Sequence, residues 1–359
     1  MTCPQGSSFC GRGKVMQAAR FFGAGRPAQG VWASINRCLA AILFIIFLPG
    51  FARPQADSQS QSREGNPYTI NVSVDMVVLH ATVQNSRGVL VSGLGKHDFR
   101  VYEDGVLQQI KYFSQEDIPV TVGLVVDNSG SMRPKRPEVI TAALTFARSS
   151  NSDDQMFVTS FNEHVSFGLP TDTAFTDRVD QLEAALSRIA ADGMTALYDA
   201  VAAALEHVKK GNRDKKVLIV VSDGGDNASK HNLSQIMSMA GRSAAIIYAV
   251  GVFEEEDRDR NPGVLRRLAK ATGGEAFLPG SVRDVVPICE RIARDIRNQY
   301  TLAYVPTNQR QDGLYRRIQV KAGRPGGGRL LVRTRVGYYA PLKPQSLPAA
   351  GPAEHEDQK

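Results

Sequence analysis

Cysteine is almost missing from the part of this chain that can build a core. Of four cysteines in 359 residues, Cys3, Cys10 and Cys38 lie near the N-terminus and Cys289 stands alone beyond them. No internal disulfide and no cysteine-based zinc site can form there, so the fold must rest on packing. Acidic residues are absent from positions 1–56, where six basic residues stand: Arg12, Lys14, Arg20, Arg26, Arg37 and Arg53. That imbalance accounts for nearly all of the formal net charge of +7, because outside it 37 Lys and Arg face 36 Asp and Glu. A chain so balanced gains little long-range attraction to phosphate backbones, and no nucleic-acid partner is expected. Long hydrophobic runs are lacking too. Cys38–Leu48 has eleven apolar residues, too few for a helix across about 30 Å of hydrocarbon but suited to the apolar stretch of a signal peptide.

Positions 1–56 are therefore expected to be a signal peptide or an N-terminal anchor, with Ala52 or Ala56 as cleavage points. Met16 is an alternative start. Counting from Val31 to Leu48, the segment could stay as an uncleaved anchor, the only expected membrane attachment. Cys38 lacks the Leu-x-x-Cys setting of a lipid-modified residue. The expected location is outside the cytoplasm: periplasmic, secreted or at the cell surface.

Other signatures are wanting as well. His80, His97, His164, His207 and His231 show no metal-ligand spacing, and Gly-x-Ser-x-Gly does not occur. The run Gly323-Arg-Pro-Gly-Gly-Gly328 has no Lys-Ser/Thr and reads as a hairpin turn rather than a phosphate loop. Arg316, Arg317, Lys321, Arg324, Arg329, Arg333 and Arg335 read as a solvated sheet face.

What is present divides by its grammar. Residues 57–67 are a polar linker. Over 68–117, Ile70, Val72, Val74 and Met76 alternate with polar residues, Asn85–Gly88 makes a turn, and Glu103-Asp-Gly105 makes a tight hairpin. From 119 to 298, strands alternate with helices: strands at Thr121–Val126, Met156–Phe161, Val165–Phe167 (an edge), Val217–Val221 and Ala244–Val250, and helices over 135–149, 174–190, 196–209 and 284–298. Near-continuous apolar strands point to a parallel sheet covered on both faces. Over 299–340 the β grammar returns, and 341–359 reads as a disordered tail. The expected fold is α/β, a doubly wound, mostly parallel sheet, plus a β-sandwich built from the flanking N- and C-terminal strands. The α/β domain is then an insertion between the sandwich's two parts.

The chemistry-bearing residues sit where strands end. Thr121–Val126 runs into Asp127-Asn128-Ser129-Gly130-Ser131, an Asp-x-Ser-x-Ser sequence. Asp192-Gly193-Met194-Thr195 precedes a helix, and Ser222-Asp223-Gly224 follows the strand at 217–221. Taken singly, each is a common turn or helix cap. Together they would converge beyond the carboxyl ends of the strands, where open α/β sheets bind ligands. Asp127, Ser129, Ser131, Thr195 and Asp223 offer oxygen only, the donor set of Mg2+ or Mn2+. Three of the five are neutral, which leaves a divalent ion electrophilic and with room for one more ligand. Asp199 and Asp226 are expected to cap or to lie at the surface.

This constellation resembles the metal-ion-dependent adhesion site of von Willebrand factor type A (VWFA) domains over roughly 119–298. By that resemblance Ser129, Ser131 and Thr195 give hydroxyl oxygens, Asp127 and Asp223 bind the ion or its waters, and a protein partner completes the shell with Asp or Glu. Gly93–Gly105 and Val336-Gly-Tyr-Tyr-Ala340 resemble an exported bacterial VWFA-related subgroup. The expectation is a monomeric, metal-dependent adhesion or protein-binding module and not an enzyme. In integrin-like domains partner binding shifts the last helix, and here Asn298–Tyr300 would pass such a shift to the sandwich. Two alternatives stand: a structural subunit of an envelope complex docking through its sandwich, and a haloacid-dehalogenase-like phosphatase with Asp127 as nucleophile. The phosphatase expects Asp where this chain has Ser129.

Overall fold

The computed structural model describes residues 76–188, 190–253, 260–324 and 326–342, all within one compact unit, Ile70–Lys359. The expected leader 1–56 and linker 57–67 lie outside the described residues, as do Ile70, Val72, Val74 and residues 343–359.

Four strands come first: β1 (Val77–Asn85), β2 (Phe99–Glu103), β3 (Val106–Gln108) and β4 (Ile110–Ser114). The turn after β1 is closed by Asn85, whose Oδ1 accepts from Arg87 N (2.9 Å) and Val89 N (3.1 Å). Between β2 and β3, Asp104 and Gly105 have φ of 47° and 85°, the left-handed pair that a two-residue hairpin of matching twist requires.

Strands and helices then alternate: β5 (Val120–Asp127), α1 (Arg136–Ser149), β6 (Gln155–Phe161), β7 (Val165–Phe167), α2 (Val179–Ser187) and α3 (Leu197–Val208). They continue with β8 (Lys215–Ser222), α4 (Leu233–Arg242), β9 (Ile246–Gly251), α5 (Pro262–Thr272), β10 (Ala276–Phe277) and α6 (Val285–Arg297). The sheet runs in the order β10-β9-β8-β5-β6-β7, parallel except at β7. All eight residues of β5 are buried, as a strand covered by helices on both faces must be. From β5 the chain moves outward to β6 on one side and returns to β8 on the other. The order therefore switches between β5 and β8, and the loops leaving these two strands part there.

The last strands, β11 (Tyr300–Tyr304), β12 (Tyr315–Ala322), β13 (Leu330–Arg333) and β14 (Gly337–Tyr339), join the first four. Two antiparallel sheets result, β13-β1-β11-β4 and β14-β12-β2-β3. Both mix strands from the two ends of the chain. Leu79, Val101, Leu302, Tyr304 and Ile318 fill the space between them, with the rings of Phe99, Phe113 and Tyr300 packed at 5.0–5.9 Å. Neither set of four strands could cover its apolar face alone. The chain enters the α/β region from β4 and leaves it into β11, and these strands are paired neighbours, with Ser114 opposite Thr301.

Some expectations need correction. The helix expected over 174–190 shrinks to α2, because Thr176 and Met156 exchange backbone hydrogen bonds of 2.8 Å and hold the preceding chain extended. The glycine-rich run at 323–328 is no hairpin: β12 and β13 lie in different sheets, so it carries the chain across the sandwich. The basic stretch is a solvated face only in part: Arg317, Lys321, Arg324 and Arg329 are exposed, but the other three are engaged. Arg316, 4% exposed, grips both oxygens of Asp312 at 2.8 Å. Arg333 pairs with Glu275 and Asp295, and Arg335 donates to Gly241 O (2.8 Å) and Ser243 O (3.2 Å). Helices α4 and α5 go beyond the sequence expectations, and the expected tail begins with Leu342 still bridged to Asp312.

The arginines seal a junction between sandwich and α/β region. Asp295, near the end of α6, accepts from Tyr248 OH (2.7 Å) as well as from Arg333. Gln299 Nε2 donates to Tyr248 OH (3.1 Å) and to Thr82 Oγ1 of β1 (3.2 Å). Lys215 of β8 donates to Ile296 O. No helix among the described residues is long and apolar enough to cross a membrane.

Candidate metal centre

Three loops meet at the switch point. The first leaves β5, whose final residue, Asp127, is 1% exposed. Its Oδ2 accepts from Ser222 Oγ at 2.6 Å, and its Oδ1 from Ser129 N at 2.9 Å. Ser129 caps a short 3-10 turn, Gly130–Lys135, which brings Ser129 Oγ within 3.2 Å of Ser131 Oγ. Ser131 Oγ in turn donates to Asp223 Oδ2 at 2.7 Å, across 92 residues of sequence. Asp223 Oδ1 accepts from Gly225 N (2.9 Å). Asp127, Ser129, Ser131 and Asp223 thus form one unbroken chain of contacts.

Burial pushes the Asp127 carboxyl up to about 6; bonds from Ser129 and Ser222 pull it back, while the charge of Asp223 adds to the rise. Negative charge is costly in such a place unless a cation shares it.

Thr195, 7% exposed, joins the other four through backbone. Asp192 N donates to Asn128 O (2.9 Å) and Gly130 N to Gly193 O (3.1 Å), which fastens the second loop to the first. Gly193 has φ of +80°, and a Cβ there would lie 1.8 Å from Glu163 Oε2. That same oxygen accepts from Met194 N (2.9 Å). Thr195 N donates to Asn227 Oδ1 (2.8 Å), and Thr195 O accepts from Asn227 N (2.9 Å) and Ala228 N (3.0 Å). Asp226 accepts from Tyr198 N (2.8 Å), and Asp199 holds His231 Nδ1 at 2.6 Å. Asp226 thus caps the start of α3, while Asp199, half-buried within α3, holds the loop before α4 instead of capping or lying at the surface. At the rim Met194 is 55% exposed, and Arg133 pairs with Asp192 at 3.1 Å.

The donor set fits a small divalent ion. Ligands about 2.1 Å from an octahedral Mg2+ lie about 3.0 Å from their neighbours. The oxygen pairs Ser131–Asp223 and Ser129–Ser131, at 2.7 and 3.2 Å, already bracket that spacing. Such a site is carboxylate-poor. Among the described residues no group of three or more His, Cys, Asp or Glu could hold a metal, so any ion here depends on hydroxyls.

Sequence reasoning missed Ser222, Glu163 and Asn227. Only Ser222 carried a signal, its place beside Asp223 at the end of an apolar strand.

The sequence pattern of the von Willebrand factor type A domain matches residues 121–285. No curated protein matches the chain. Among solved structures, a von Willebrand factor type A protein from Catenulispora acidiphila is 15% identical, covers 74% of this chain and 74% of its own, and has a TM-score of 0.46. An aerotolerance-related membrane protein from Bacteroides fragilis, carrying multiple mutations to serines, is 14% identical over 49% of this chain and 98% of its own, at 0.41. The vWF domain of the type V pili tip protein Mfa5 from Porphyromonas gingivalis is 11% identical over 50% and 95%, at 0.40.

Proposed function

We propose, from the match of residues 121–285 to the von Willebrand factor type A domain, that this protein is a binding module rather than an enzyme. In this reading Asp127, Ser129, Ser131, Thr195 and Asp223 hold one Mg2+ or Mn2+, and a protein partner reaches the centre with an Asp or Glu. The observation that carries it is the run of side-chain oxygens from Ser129 through Ser131 to Asp223, spaced as a small hard cation needs, with Asp127 tied to it through the Ser129 N–H. When bound, the ion supplies an open coordination position that a carboxylate fills in place of water.

The protein's own residues do the rest. Ser222 and the Ser129 N–H hold both Asp127 oxygens, so the carboxylate cannot turn away. Strand β5 beneath is buried along its whole length, which keeps the loops rigid. Met194 and the Arg133–Asp192 pair stand at the rim, where a partner would touch them. The protein is read as a monomer that works outside the cytoplasm. The basic, acid-free leader and the short apolar run Cys38–Leu48 support that location.

The test is affinity capture of envelope and extracellular proteins with the full-length chain, run in Mg2+ and again in EDTA. Partners held in Mg2+ and released by EDTA are expected. Capture indifferent to EDTA and retained by Asp127→Ala would sink the metal reading and favour docking through the sandwich.

A further inference from the structure

Helix α3 starts without a cap of its own. The residue before it is Ala196, which has no polar side chain to offer, although the first N–H groups of a helix need partners. Two other loops hold both the first turn and the three residues that lead into it. Glu163, in the turn after β6, takes Met194 N–H at 2.9 Å. Asn162 O takes Ala196 N–H at 2.7 Å. In the loop after β8, Asn227 takes Thr195 N–H, Asp226 takes Tyr198 N–H and Ser229 takes Asp199 N–H, at 2.8, 2.8 and 3.0 Å.

Asn227 differs from the rest of this set. It receives the Thr195 N–H through its side chain and returns its own backbone N–H to Thr195 O. Gripping one residue by both backbone groups fixes its peptide planes, and these fix the direction of its Cα–Cβ bond. Glu163 acts on the residue just before. Its carboxylate lies where a side chain at Gly193 would stand, so the loop is moulded around it. Thr195 is held from both sides, by residues 32 and 31 positions from those they grip.

We infer that Asn227, with Glu163 as its counterpart, sets the metal affinity of the centre by positioning Thr195 rather than by binding the ion. The inference rests on the metal reading above. It goes further by naming two residues outside the oxygen set that decide how much of it is preformed. Outer partners of metal ligands commonly govern affinity by about 10- to 100-fold. Glu163 does not stand in as a ligand: among the described residues no third acid joins Asp127 and Asp223 in a group that could hold a metal.

Mn2+ titration of the full chain, paired with melting curves and amide hydrogen exchange in EDTA, tests this. Asn227→Ala is expected to weaken Mn2+ binding by about tenfold, no more than loss of the Thr195 hydroxyl itself, and to speed exchange of the Thr195 amide in the metal-free protein. Asn227→Asp and Glu163→Gln keep an acceptor oxygen and should stay within about threefold of the parent. Ser229→Ala loosens the same helix start away from Thr195; it should lower the melting temperature without the loss of affinity. Parent-like titration of Asn227→Ala overturns the inference. So does a loss of affinity in Ser229→Ala equal to that in Asn227→Ala, which would mark a general loosening of the helix. If the parent itself binds neither Mn2+ nor Mg2+, the metal reading fails first and takes this inference with it.

Discussion

Two pairs of acidic residues meet in this protein, and they are treated in opposite ways. At the junction, Glu275 and Asp295 converge on Arg333, a cation the chain supplies itself. At the mouth of the α/β sheet, Asp127 and Asp223 are met by the hydroxyls of Ser222 and Ser131 and by backbone N–H groups. Arginine brings a full charge and a fixed fork of donors, so a junction closed by it is finished when folding ends. Hydroxyls bring only dipoles, and each keeps a lone pair that can turn toward a newcomer. The first arrangement closes a surface; the second, on the reading proposed above, leaves one ready for an ion from solution.

The comparison can be broken at either end. The largest effect is expected at the mouth: Asp127→Ala should abolish Mg2+ and Mn2+ binding, a loss of more than about 100-fold in calorimetric titration. Heats equal to the parent's would refute the centre. At the junction, Arg333→Ala leaves buried Asp295 without its cation and Glu275 with Arg291 alone, and should destabilise by about 3 kcal/mol in denaturant unfolding, with the ion's affinity unchanged. Coupled loss of both would mean that the two regions are one.

Acid should also tell them apart. His80 in β1 is pushed down to about 3 by burial, with the positive charges of Lys215 and Arg335 adding to it. An unfolded imidazole titrates near 6.5, so between these values the unfolded chain takes a proton that the folded one refuses. Stability is then whole above about pH 6.5 and falls as pH drops toward 3. His80→Gln should flatten that slope, by roughly 3 kcal/mol between pH 7 and 4, in urea melts along a pH series. An unaltered slope would place the acid sensitivity elsewhere. The smallest effect is expected of Thr195→Ala, about tenfold in ion affinity with a stability change near 1 kcal/mol. Equal losses in both would make Thr195 a structural residue.

The oxygen set was legible because strand ends are legible. Asp127 and Asp223 each follow a run of apolar residues that can only be a buried strand, and the switch-point rule brings such ends together. The β grammar on either side of the α/β region announced the sandwich for a similar reason, since neither half could cover itself. Glu163 and Asn227 were not legible. They act on backbone groups about thirty residues away, and no spacing rule encodes a contact between loops of neighbouring strands. The destiny of Arg333 was hidden in the same way: a basic residue on a short strand looks solvated until α6 is seen to bring Asp295 beside it. Helix α4 buries only Ile236, Ala240 and Gly241, too few for a period to stand out. Helix α5 did offer a start signal in Asn261-Pro262, with Asn261 accepting from Val264 N.

The pairing of β1 with β11 has a consequence in time. His80 and Thr301 face each other across these strands, 221 positions apart. At about 5 to 20 residues per second, a ribosome needs roughly ten to forty-five seconds to travel that distance. Throughout that interval β1 to β4 have been made and their complement has not. The α/β region, whose neighbouring strands are mostly close in sequence, can settle meanwhile. Two nascent chains side by side would each expose a half-sandwich that fits the other's late strands, so this architecture invites exchange of C-terminal strands wherever synthesis is crowded.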